Sequence, residues 1–388
     1  MNIKTTDELY IAHTYNRFPV EIVSGKGSML TDKNDKEYID MGSGIGVNIF
    51  GAADKGFIDA VTKQLSLIQH TSNLYYTEPC VKLAKALCDK TGMKKVFFAN
   101  SGAEANECAI KAARKYAAEK KGADCYNIVT LKNSFHGRTL TTLAATGQDC
   151  FHSLYNPLTP GFISVDAEDK DQIKTVCESK KIAAVMIECI QGEGGVNELS
   201  GDYVNFLREI TKQKDILLIV DEVQTGCGRT GKLYSYMNYR ITPDIVTSAK
   251  GLGGGLPIGA ALLGEKVQDI FSYGDHGSTF GGNPVSCAGA YNIISRIDDT
   301  LLNEVTRKGE LLKRALSASK DIKSVSGKGL MLGISTEKSA LEVVKKCMEN
   351  GVLCLTAKNK VRLLPPLNTP DNLLVKAADI IINACKGE

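Results

Sequence analysis

Tryptophan is absent from the 388 residues, proline numbers only 10, histidine 5, and aromatic residues make up 6%. With so little proline there is no room for a proline-rich recognition tail or stiff linker. No charge of one sign dominates either: 47 Lys+Arg stand against 44 Asp+Glu, a net +3. That balance lacks the clustered basicity of a nucleic-acid binder and the self-repulsion of a disordered chain. No apolar run approaches the roughly 20 residues needed to cross a bilayer. The opening MNIKTTDELYIAH is too broken by charge for a signal peptide, so no membrane partner and a cytoplasmic location are expected. Twelve cysteines are present but no C-x-x-C pair, and the five histidines show no H-x-x-x-H spacing. Reduced, packed thiols are therefore expected, with no structural metal.

What is there is glycine, 37 of them, gathered at the ends of apolar runs. Short β-rich runs alternate with helical stretches: strands at 94–100, 127–131, 161–166, 182–188, 216–222, 244–250 and 260–264, and helices at 103–121, near 168–180 and near 202–213. This alternation predicts an α/β fold with a mostly parallel sheet covered on both faces. After FGGNP (280–284) the texture changes to a long helical pattern over 285–320. Shorter strands follow within 323–335, 351–357 and 361–367, with helices near 337–350 and 371–386, a smaller α+β lobe. The first 45 residues carry two short strands around the turn Asp32-Lys33-Asn34-Asp35 and must pack on another lobe. The expected units are 1–45, packing with the small lobe, 46–284 and 285–388.

In such sheets ligands sit beyond the carboxyl ends of the strands. Four strand ends carry chemistry. Ser101-Gly102-Ala103-Glu104 reads as S-x-x-E before a helix, a cap whose free N–H groups can cradle a phosphate, although every helix has a cap. Asp221-Glu222 ends a buried strand, where a carboxylate needs a cationic partner, either an ion-paired Arg or Lys or a protonated ring nitrogen. Lys250 closes DIVTSAK before a glycine-rich stretch, with room to act as an amine nucleophile in place of an ordinary solvated lysine. Phe135, His136 and Arg138 follow another strand and offer a ring for a flat cofactor and a planar fork for a carboxylate. Jointly these groups describe a pyridoxal phosphate site. Gly226 to Lys232 also fits G-x-G-x-x-G and G-x-x-x-x-G-K, but Leu233 stands where a magnesium-binding hydroxyl belongs and no amphipathic helix follows. That segment is expected to be a shaped loop.

The blocks NSGAEANECAIKAARKY, SFHGRTLTTLAATG, IECIQGEGGV, LLIVDEVQTGCGRTG, SAKGLGGGLPIGA and STFGGNP together resemble the class III, ornithine-type aminotransferases. Flanking TYNRFPVEIVSGKG and VRLLPPLN extend the resemblance over nearly the whole chain. It implies a pyridoxal 5′-phosphate-dependent transferase fold of type I and a homodimer with the active site at the interface. It implies that Lys250 carries the cofactor and Asp221 pairs with its ring nitrogen. Gln224 would reach the ring hydroxyl, with Glu222 and Val223 beside it, and Phe135 would stack on the ring. Ser101, Gly102 and Ala103 would hold the phosphate, joined by Thr279 from the neighbouring subunit. Arg138, Ser278 and Tyr15 would meet substrate, and Glu193 and Arg362 would form an ion pair that opens for the second substrate. HTSNLYYTEP and the form of STFGGNP resemble the branch of the family acting on N-acetylornithine with 2-oxoglutarate. Ornithine, 4-aminobutyrate, succinylornithine and succinyldiaminopimelate donors share the same chemical groups, and a non-catalytic phosphate binder of the same fold is the alternative from another class. Two departures touch no chemical group: Cys189 where proline is common, and Gly51–Gly56 in place of the usual loop.

Overall fold

A computed structural model describes residues 2–386; Met1, Gly387 and Glu388, at the ends of the first and last expected units, lie outside them. At the centre is a seven-stranded sheet in the order Lys95–Ala99, Gly259–Leu263, Ile245–Ser248, Leu217–Asp221, Ile182–Ile187, Asn127–Leu131, Phe162–Val165. Gly259–Leu263 runs antiparallel to both neighbours, and the pairs among the five strands beyond it are parallel. The central strands are buried end to end, as expected where helices cover both faces.

Alternation along the strands sorts two cores. Ala184, Met186, Leu217 and Ile219 meet Ala109, Ile110, Ala112 and Ala113 of the helix Gly102–Lys121, whose alanines permit close approach. Leu218, Val220, Val185 and Ile187 face the other way, toward Tyr203, Val204 and Leu207 of the amphipathic helix Gly201–Gln213.

The helical pattern over 285–320 is two helices, Pro284–Ser295 and Asp299–Ser317. The break has a local cause: Asp298 caps the second helix by accepting from Leu301 N at 2.8 Å. Further on, Ile322–Lys328, Met331–Thr336, Lys360–Leu363 and Leu355–Ala357 make an antiparallel sheet in that order. The early strands Ile22–Lys26, Met29–Asp32 and Glu37–Asp40 form a separate sheet completed by Val352–Leu353, parallel to Glu37–Asp40. A helix at Ile3–Tyr10 precedes them with no buried residue. The glycine-rich 226–231 segment is a loop pinned by Arg229, which is fully buried and donates to the carbonyls of Leu330 and Pro365.

Candidate active site

The parallel strands bring Asn100, the 132–139 loop, Glu188, Asp221 and Lys250 to one edge of the sheet. Asp221 is 3% exposed. Its Oδ2 accepts from His136 Nδ1 and Asn106 Nδ2, both at 2.8 Å, and its Oδ1 from Val223 N at 3.0 Å. Among the described residues no Lys or Arg pairs with it, and His136 Nε2 is buried without a partner. The carboxylate is thus held by an imidazole, an amide and a backbone N–H, with no Lys or Arg beside it to offset its burial.

Glu222 follows Asp221 and faces the opposite side of the sheet, as strand alternation requires. Its carboxylate accepts from Ser235 Oγ and Thr225 Oγ1 at 2.6 Å and from Tyr236 N at 2.8 Å. The side chain expected beside the cofactor is therefore committed to bracing the 225–236 loop.

Lys250 has φ +44°, a left-handed conformation that a side chain with a Cβ adopts only where its surroundings enforce it. Burial pushes its amine below the ordinary lysine range, against the pull of Glu193, Asp221 and Glu188 and with the help of Arg362.

Glu193 and Arg362 meet as expected. Arg362 Nη1 donates to Glu193 Oε1 at 2.6 Å and to Gln224 Oε1 at 2.9 Å, while Gln224 Nε2 donates to Glu193 Oε1 at 3.2 Å. One amide thus touches both members of the pair. Burial works to raise the Glu193 pKa, but Arg362, Lys250 and Gln224 outweigh it and hold the carboxyl below its usual range.

At the start of Gly102–Lys121, Ser101 Oγ accepts from Glu104 N at 3.2 Å, and Glu104 reaches back to Asn100 N at 2.7 Å. Asn100 Nδ2 also donates to Ser278 Oγ at 3.1 Å, and Asn73 Nδ2 holds the carbonyls of Ser278 and Gly281 at 2.9 and 2.8 Å. A Cβ on Gly102 would lie 2.7 Å from Val223 Cγ1, so only glycine fits between the helix start and the Asp221 strand.

Arg138 is exposed, with its guanidinium 4.0 Å from the Phe151 ring centroid and 5.4 Å from that of Phe135. Thr279 and Tyr15 are exposed and stand apart from these networks within the chain. Sequence reasoning missed Asn106 and Glu188. The signal for Glu188 was an acid ending a buried apolar strand, the same pattern that marked Asp221.

Residues 10–385 match the aminotransferase class-III family. The chain belongs to that family. An acetylornithine aminotransferase of Haemophilus ducreyi is 49% identical over 98% of this chain and 97% of its own, and one of Methanocaldococcus jannaschii 44% over 93% and 92%. Among solved structures, an ornithine aminotransferase of Toxoplasma gondii, described with partial occupancy of pyridoxal phosphate, superposes with TM-score 0.94 at 32% identity over 98% and 93% of the two chains. An acetylornithine aminotransferase of Elizabethkingia anophelis gives 0.89 at 32% identity, covering 98% and 97%.

Class-III aminotransferases are pyridoxal phosphate-dependent transaminases, and the residues here fit that group. Asp221 is buried with no Lys or Arg paired to it, a place that a protonated ring nitrogen would suit. Gly102 packs its bare Cα against Val223, which sets the start of the helix, and the backbone N–H groups there are those that would hold the phosphate. Lys250 provides a partly desolvated amine at the same edge.

Proposed function

We propose that this chain transfers the δ-amino group of N2-acetyl-L-ornithine to 2-oxoglutarate, giving N-acetylglutamate 5-semialdehyde and L-glutamate, and that it runs in reverse in arginine biosynthesis. The observation that carries the substrate is the likeness to acetylornithine aminotransferases, 41–49% identical over nearly their whole length.

Pyridoxal phosphate, when bound, supplies a carbonyl that exchanges for the substrate's amine and a ring that draws negative charge off the adjoining carbon. Lys250 Nζ holds the cofactor and then carries the proton to and from the substrate carbon that bears nitrogen. Its lowered basicity makes the neutral amine more available than on a solvated lysine. Asp221, fixed by His136, Asn106 and Val223 N, keeps the ring nitrogen protonated. Gln224 serves the ring hydroxyl, Phe135 covers the ring, and Ser101 with the N–H groups of Gly102 and Ala103 holds the phosphate. With Arg362 closed on Glu193, Arg138 is the fork left for a single carboxylate, and Ser278 also meets the substrate. That suits a donor whose reacting amine lies far from its carboxylate and whose α-amine is blocked. Opening the pair gives glutamate a second fork.

The same reading makes the chain a cytoplasmic homodimer, with Thr279 serving the neighbouring subunit's phosphate site and Tyr15 reaching substrate. Leu74, Tyr75, Tyr76, Tyr273 and Phe280 are exposed, a large apolar display for a lone chain and a suitable one for self-association. Among the described residues no helix is long and apolar enough to cross a membrane. Sedimentation should show twice the 41.8 kDa chain mass; a monomer at working concentration would refute the dimer.

The deciding experiment is the visible absorption of the purified protein before and after N-acetylornithine is added without a keto acid. Loss of the cofactor band is expected. A band that survives acetylornithine but is lost with ornithine or 4-aminobutyrate would replace the substrate, and no band after soaking with pyridoxal phosphate would defeat the reading.

A further inference from the structure

Glu188 is a buried acid to which the mechanism above gives no role. It follows the strand Ile182–Ile187, and because Ile187 is in register with Val220 on the parallel neighbour, Glu188 stands beside Asp221. Both belong to the face that carries Met186 and Ile219. Glu188 is 5% exposed, and among the described residues no Lys or Arg forms an ion pair with it. What it holds is backbone: Oε2 accepts from Phe135 N at 2.9 Å and Oε1 from Gly192 N at 3.3 Å.

The two adjacent acids therefore grip two consecutive residues, Glu188 the amide of Phe135 and Asp221 the imidazole of His136. The other oxygen of Glu188 fixes the turn leading to Glu193. At that turn Gly192 lies so close to the Gln224 amide that a Cβ would not fit. Phe135, Gly192 and Gln224 come from three separate loops, and one carboxylate sets the first two directly and the third through contact.

We propose that Glu188 is a positioning residue that sets the height of the Phe135 ring and the seat of Gln224 against the cofactor. A buried acid is costly unless its oxygens are used, and replacing this one by an apolar group would leave two N–H donors unpaired. Burial and the neighbouring Asp221 charge raise its pKa, while His136 and the two N–H groups oppose them. The acid is kept where a neutral side chain would be easier to bury, which points to its two-sided grip as the reason.

The proposal rests on the cofactor reading, and its test separates the two. Glu188→Gln keeps the shape but retains one accepting oxygen, so one of the two amides loses its partner. In the cofactor-free protein, hydrogen exchange at Phe135 or Gly192 should quicken about tenfold or more while the sheet strands stay protected. In the holoenzyme, pyridoxal phosphate should bind about tenfold more weakly and the visible circular dichroism of the bound cofactor should shrink. The rate constants should fall alike for acetylornithine and glutamate, since the ring cover serves both. Glu188→Asp, which keeps the carboxyl group but is too short to reach both amides, should show the same split and covers the case in which the glutamine variant does not fold. Unchanged exchange, affinity and dichroism in a folded variant would overturn the proposal. Wild-type protein that takes up no cofactor would defeat the cofactor reading instead, and the exchange measurement would still decide the grip of Glu188.

Discussion

Arg362 is held by Glu193 through two nitrogens, Nη1 at 2.6 Å and Nη2 at 3.3 Å, with the guanidinium side chain only 3% exposed. In this arrangement Nη1 and Nη2 of the arginine are taken by Glu193 and Gln224. Removing the acid should release it. Glu193→Ala is expected to raise the specificity constant for glutamate relative to acetylornithine, on the order of tenfold for a gain of about 1.4 kcal/mol. Half-reaction rates with each amino acid provide the ratio; a ratio equal to wild type would count against the switch.

Asp221→Asn keeps the size of the side chain and an oxygen for its neighbours, but it removes the charge that the proposed mechanism sets against the ring nitrogen. Breaking a buried pair of this kind costs about 3–5 kcal/mol. The variant should fold and lose turnover by about a hundredfold or more. Steady-state kcat beside a melting curve tests both halves, and near-wild-type turnover would remove Asp221 from the mechanism.

Arg138→Lys preserves charge and discards the planar fork. The guanidinium is already oriented by the Phe151 and Phe135 rings, an anchorage that an ammonium reproduces poorly. KM for both acetylornithine and 2-oxoglutarate should rise about tenfold. A rise for one substrate alone would mean that the arginine meets only that one.

A fourth prediction concerns stability and pH. Asp54 caps the helix Lys55–Leu65 through Phe57 N at 2.9 Å and takes both arms of Arg296 at 2.5 and 3.0 Å. The Arg296 hydrogen bond, aided by Phe57 N and opposed by burial, holds Asp54 below its ordinary value of 3.8. The folded protein thus binds this proton less tightly than the unfolded chain. Its stabilisation is complete above the unfolded value and fades as pH falls through the lower folded one. Asp54→Asn should melt about 2–4 °C below wild type at neutral pH, and the gap should narrow toward pH 3. A gap independent of pH would show that the charge of Asp54 is not what stabilises the fold.

The strands of the central sheet were legible because each is a short apolar run bounded by glycine or charge, and the site was legible where a reactive residue ends such a run, as Asp221 and Lys250 do. The helices Lys55–Leu65 and Glu78–Thr91 were not read from the sequence, although Phe57, Val61 and Leu65 in the first and Cys80, Leu83 and Leu87 in the second carry helical spacing. The split at Arg296–Asp298 escaped notice because apolar spacing continues through it and only the aspartate cap breaks it. Glu222 was placed with Asp221 because neighbours in sequence look like neighbours in space, whereas a strand sends them to opposite faces. Glu188 and Asn106 needed the register between strands, which no single segment contains.

The sheet that begins the chain has a consequence for biosynthesis. Its inner strand, Glu37–Asp40, finds its parallel partner only in Val352–Leu353, and Lys36 donates at 2.7 Å to the carbonyl of Glu349, 313 positions further on. Such distant pairing is slow to form and leaves strand edges open meanwhile. On the ribosome the first forty residues must wait, unpaired along that edge, until nearly all the rest has been translated, while the seven-stranded sheet between them has every strand it needs by residue 263.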